Sequence, residues 1–194
     1  TGSRALLVDV AGSLTRDELV QWTPGGSTVE VLASNGINQF SSAIFSFETS
    51  GELREVRAAD VDGDGDRDLV TLSFFPPTIE VWENTTGVLE SMGAVGIDIP
   101  EAISLSDPFH AAGPTPFAVE DIDGDGVVDY ALTNGRGELR IVAGTPSGPA
   151  SVVFTRTLSQ PGDETDLDVA DFDGDGQSDL ALAYGNATVG PFGY

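Results

Sequence analysis

Asp60-Val61-Asp62-Gly63-Asp64-Gly65-Asp66-Arg67-Asp68 sets five carboxylates into nine residues around two glycines. Like charges at that density repel one another unless opposite charge sits among them. The pattern returns as Asp121-Ile122-Asp123-Gly124-Asp125-Gly126-Val127-Val128-Asp129 and again as Asp171-Phe172-Asp173-Gly174-Asp175-Gly176-Gln177-Ser178-Asp179. A worn copy runs from Asp9 to Asp17. It keeps aspartate at positions one and nine and Gly12 at position four, but Ala11 and Ser13 replace the aspartates at three and five, and Leu14 stands where the others have glycine. First aspartates at 9, 60, 121 and 171 give a repeat of 50 to 61 residues.

What flanks each loop repeats as well. "DELVQW", "DLVTLSFF", "DYALTN" and "DLALAY" are short β-rich runs that begin at the last aspartate. A second run follows in three copies, "TVEVLAS" from Thr28, "TIEVWEN" from Thr78 and "ELRIVAG" from Glu138, where alternate apolar residues share one face. "RALLVDV", "REVRAAD", "PFAVEDI" and "TDLDVAD" precede the loops, and "QFSSAIFSFE" and "SVVFTRTLS" supply a last strand. Residues 87–115 read as the last strand of the second unit followed by a Pro/Gly-bearing insertion. No long segment keeps a helical period. The reading is one all-β domain over 1–194: a β-propeller-like array of four-stranded antiparallel blades opening near residues 4, 54, 116 and 165. Its three and a half repeats form an incomplete ring, the last unit being interrupted at Pro191.

Strands on both sides of a recurring D-x-D-G-D-G-x-x-D loop resemble the FG-GAP and VCBS repeats of β-propellers, including the calcium-bearing blades of integrin α-subunit heads. The resemblance covers nearly the whole chain. It implies a calcium-stabilised propeller, extracellular or at the cell surface, used in adhesion or structural assembly. A carbohydrate-binding module, or an accessory module of a secreted enzyme, is the alternative it leaves open, since fold alone does not fix function.

The loop chemistry points to calcium independently. Ca²⁺ takes six to eight oxygens. Carboxylates at positions one, three and five of a tight loop (Asp60, Asp62, Asp64; Asp121, Asp123, Asp125; Asp171, Asp173, Asp175) can converge on one point. Position seven (Asp66, Val127, Gln177) varies in chemistry, which suits a backbone carbonyl ligand, and position nine (Asp68, Asp129, Asp179) closes the shell. Position twelve is Thr71, Leu132 or Leu182 where an EF-hand has glutamate. With no cysteine and one histidine, His110, the loops offer soft metals nothing, and Mg²⁺ suits such a cage less well. About three calcium ions per chain are expected, with the Asp9–Asp17 loop metal-free.

Charge narrows the partners. Acidic residues number 32 against eight basic, all arginine, for a net charge of −24 at pH 7. Nucleic acid and anionic lipid are thereby disfavoured. No apolar run is long enough to span a bilayer, so membrane insertion is not expected. Catalysis lacks candidates: there is no cysteine, no Gly-x-Ser-x-Gly, and the carboxylate clusters at 45–55 and 162–168 read as solvated faces. The chain is expected not to be an enzyme. Trp22, Trp82, Phe74, Phe75 and Tyr184 could stack on a glycan or protein ligand, although core packing suits most of them better. Asn84 and Asn186 lie in glycosylation sequons. Incomplete repeats expose faces and edges, which predicts a homo-oligomer or polymer, or further blades of a longer chain.

Overall fold

The structure is a computed structural model; it describes residues 2–10, 17–35, 39–85, 87–97, 116–133, 138–158 and 164–184. Fourteen strands account for the regular structure there. The first sheet holds β1 (Arg4–Val8), β2 (Glu18–Trp22), β3 (Thr28–Ser34) and β4 (Phe40–Glu48), paired in chain order. The second holds β5 (Glu52–Ala59), β6 (Asp68–Phe74), β7 (Thr78–Thr85) and β8 (Val88–Gly96). The third holds β9 (Phe117–Glu120), β10 (Asp129–Thr133), β11 (Glu138–Thr145) and β12 (Gly148–Thr157), and β13 (Glu164–Ala170) pairs with β14 (Asp179–Tyr184). Every pairing is antiparallel.

Consecutive sheets pack face to face, which explains why the runs after the acidic loops are apolar almost without interruption. All seven residues of β6 are buried. Successive side chains of a strand point to opposite faces, and here both faces meet a neighbouring sheet. Leu69 joins Val20, Trp22, Val29, Val31 and Phe47 of the first sheet, whereas Val70 and Leu72 join Phe117, Val119, Tyr130 and Leu132 of the third. Phe47 stacks on Trp82 with ring centroids 3.9 Å apart. A third layer sets Ala118, Ala131 and Leu139 against Leu167, with Leu180 and Leu182 alongside. Burial of each large side chain contributes roughly 1.5–3 kcal/mol.

The first strands of three sheets are also joined by polar contacts. Glu55 on β5, almost wholly buried, accepts from Arg4 on β1 and from Arg57 two residues on. Arg57 Nε then donates to the Phe117 carbonyl on β9 at 3.1 Å. Glu55 therefore has two cationic partners and is buried with Arg54, so the 45–55 cluster is not the solvated face expected from the sequence.

Four-stranded antiparallel units open at Arg4, Glu52 and Phe117, and the described part of the fourth unit at Glu164. The insertion expected after β8 falls largely outside the described residues, as do His110, Asn186 and Pro191.

Candidate metal centres

Each acidic loop crosses from the first strand of its sheet to the second, and its hydrogen bonds show how the sequence winds it. The position-one carboxylate is a hub. Asp60 accepts the amides of Gly63 at 2.8 Å and Gly65 at 3.0 Å; Asp121 and Asp171 treat Gly124, Gly126, Gly174 and Gly176 in the same way. Gly63 and Gly65 have φ of 81° and 95°, a region where a side chain is strained. Position three accepts the amide of position five, as Asp62 does from Asp64.

Position nine ties the loop to the sheet. Asp68 Oδ2 accepts the Val61 amide at 2.7 Å, and its Oδ1 accepts the Asn84 amide at 2.8 Å from β7. Asp129 repeats both contacts, to Ile122 at 3.2 Å and to Gly144 on β11 at 2.9 Å. Asp179 accepts from Phe172 at 3.1 Å. Asp68 is fully buried. Burial pushes its carboxyl up from the ordinary value, the amides of Asn84 and Val61 pull it down, and the charges of Asp62 and Asp64 add to the upward push.

Positions one, three and nine come together in all three loops. Asp60, Asp62 and Asp68 each offer an oxygen within 4.8 Å of the others, as do Asp121, Asp123 and Asp129, and Asp171, Asp173 and Asp179. These groups could hold a metal ion. The donors are hard carboxylate oxygens, and three negative charges at that separation are strained without a cation, so the residues fit a divalent hard ion. Asp64, Asp125 and Asp175 stand outside these triads. Each instead accepts, at 2.8 Å, the amide of position seven, namely Asp66, Val127 or Gln177. The carbonyl role expected of position seven is thus separate from its amide, which is already used within the loop.

The worn loop is one residue longer than its reading from Asp9 to Asp17 implied. Residues 11–16 lie outside the described residues, but both ends are clear. The Val10 amide is accepted by Glu18, not Asp17, at 3.1 Å. Glu18 is buried and opens β2, as Asp68 opens β6, whereas Asp17 is exposed. The signal was present in the sequence as an acidic residue at the head of "ELVQW". It was masked because Asp17 fits the nine-residue frame.

Of the aromatic candidates, Trp22 and Phe74 are core residues and Trp82 is half-buried against Phe47. Phe75 is 38% exposed at the β6–β7 turn. The side chain of Tyr184 lies outside the described residues. Asn84 is buried, with its Nδ2 donating to the Arg67 carbonyl and its Oδ1 accepting the Gly87 amide, so the folded chain has no room for a glycan there.

Comparison with known proteins bears on the same elements. The FG-GAP-like repeat family matches residues 121–182, which run from the second intact loop into β14. No curated protein matches the chain. A lectin from Agrocybe aegerita that recognises non-reducing terminal N-acetylglucosamine is 18% identical with a TM-score of 0.58, over 94% of this chain and 47% of that one. A rhamnogalacturonan lyase is 14% identical with a TM-score of 0.61, over 92% and 39%. The Tc holotoxin pore of Photorhabdus luminescens is 23% identical with a TM-score of 0.53, over 95% and 8%. This chain therefore spans less than half the length of each, and the likeness is one of fold. Residues 121–182 thus match the FG-GAP-like repeat family, and the chain as a whole shares the all-β, propeller-type array of antiparallel blades of its structural neighbours.

Proposed function

We propose that the chain is a calcium-binding β-propeller module of the extracellular space or cell surface, serving adhesion or structural assembly and carrying out no catalysis. The observation that supports this most directly is the threefold recurrence of the position-one, -three and -nine carboxylate triad, each closed by an aspartate at the head of a strand. Calcium supplies the positive charge these oxygens lack. The aspartates at positions one and three bind it from the loop, and position nine binds it from the sheet. An ion held so fixes the crossing between the first two strands. Calcium at about 100 times the dissociation constant adds about 2.7 kcal/mol per site, so three sites add about 8 kcal/mol, comparable to the whole stability of an ordinary domain.

Assembly through exposed faces belongs to the same reading. Leu7, 58% exposed on β1, lies on the face of the first sheet turned away from the second and offers an apolar contact to another blade, whether from a second copy or from a longer chain. A carbohydrate-binding role is the second reading, favoured by exposed Phe75 at the hairpin end opposite the acidic loops; a glycan array tests it.

Thermal melting in millimolar calcium and in chelator tests the structural role of the ion. The account expects a sharp fall of the melting temperature on chelation. Equal melting in both would remove it.

A further inference from the structure

We propose that the ion sites at 121–129 and 171–179 are coupled through Ser178, whose hydroxyl lets an ion held in the 171–179 loop tighten the site at 121–129. The inference rests on the calcium reading above and adds regulation to the same sites.

Ser178 stands between position seven and the closing Asp179 of its own loop, yet its hydroxyl donates to the Asp121 carbonyl at 3.0 Å, 57 residues away. Asp121 is position one of the neighbouring loop. The same peptide unit carries the Ile122 amide, which donates to Asp129 Oδ2 at 3.2 Å. One relay therefore runs from Ser178 through the Asp121–Ile122 peptide to the closing carboxylate of the second intact loop. Asp121 and Asp129 are two of the three carboxylates that converge at that site. Hydrogen bonds in a chain polarise one another, so a donor on the carbonyl strengthens the amide's bond to Asp129. It also fixes the peptide plane next to the Asp121 side chain.

Among the described residues this is the one hydrogen bond between two of the intact loops. Position eight of the 121–129 loop is Val128, which packs against the apolar layer that holds Val61 and has no hydroxyl to donate. Arg67, at position eight of the 60–68 loop, turns to the Ala58 carbonyl of its own sheet at 3.5 Å. The polar link is specific to one pair of sites.

An ion in the 171–179 loop holds the residues on either side of Ser178. The hydroxyl is then already ordered against Asp121 when the second ion arrives, and the second ion is spared that cost. The effect is reciprocal, because coupling between two binding sites acts equally on both. Charge works the other way, since an ion in one loop weakens the field that draws the next. Ser178→Ala alters no charge, so it removes the link and leaves the field as it was.

Nuclear magnetic resonance of the calcium-loaded chain, taken through a series of chelator concentrations, reads the two sites apart. The Gly126 and Gly176 amides each donate to the position-one carboxylate of their own loop and serve as reporters, with the signals of β6 as the folding control. Ser178→Ala should raise the free calcium at which the Gly126 signal is half-lost by about threefold to tenfold, and Ser178→Thr, which keeps the hydroxyl, should not. In Asp173→Ala, which disables the 171–179 site, the 121–129 site should already be weakened, and adding Ser178→Ala should change it by less than about twofold. In saturating calcium, hydrogen exchange at the Ile122 amide should also quicken in Ser178→Ala. Equal weakening by Ser178→Ala with the 171–179 site loaded or disabled would overturn the coupling. So would an unchanged Gly126 midpoint together with unchanged Ile122 exchange. Loss of calcium response at both glycines in the native chain would remove the calcium reading itself, and this proposal with it.

Discussion

Asp68 and Asn84, sixteen residues apart on neighbouring strands, are joined by a 2.8 Å hydrogen bond from the Asn84 amide to the Asp68 carboxylate. The other oxygen of Asp68 holds the Val61 amide at the entrance of the loop. The residue proposed to complete an ion's cage thus also fastens the loop to the third strand.

That double role separates two mutations that otherwise look alike. In saturating calcium, Asp62→Ala and Asp68→Ala should each remove one ion. Asp68→Ala should cost about 2–3 kcal/mol more, because two buried amides lose their acceptor. Denaturant unfolding of the two variants side by side measures the difference; equal losses would show that the amide bonds contribute nothing beyond the ion.

Gly144 is required for a different reason. A Cβ at this position would lie 1.8 Å from the Val128 carbonyl oxygen, while its amide donates to Asp129. Gly144→Ala should destabilise the chain by about 1–3 kcal/mol and weaken calcium binding at the 121–129 loop more than at the other two. Calorimetric titration of the variant checks the selectivity.

Tyr130 is fully buried, and its hydroxyl has no hydrogen-bond partner among the described residues. Burial first, and then the charges of Asp129 and Asp68, push that hydroxyl's pKa far up, so it stays protonated. Removing an unsatisfied buried hydroxyl should cost nothing. Tyr130→Phe is expected to leave stability unchanged within about 1 kcal/mol or to raise it, as read by thermal melting.

The loops and the strands around them were legible because each expresses a local rule. Carboxylates alternating with glycines mark a tight acidic turn between two strands, and alternate apolar residues such as Val29/Val31 or Ile79/Val81 mark a strand, though on β7 Thr78 and Glu80 of the other face are buried as well. What needed the fold was non-local. The partnership of Asp68 with Asn84, and of Asp129 with Gly144, depends on a register set across three strands. The displacement of the closing role from Asp17 to Glu18 depends on which residue opens β2. A nine-residue frame counts positions but not side-chain reach, and glutamate's extra methylene accommodates the longer loop. Asn84 shows the same limit: its sequon is visible in the sequence, and the burial that excludes a glycan is not.

Calorimetric calcium titration of the metal-stripped chain tests the central claim most directly. The account predicts about three ions per chain, falling by one in each of Asp62→Ala, Asp123→Ala and Asp173→Ala and unchanged in Glu18→Gln. No binding, or a stoichiometry that these three substitutions leave untouched, would contradict it.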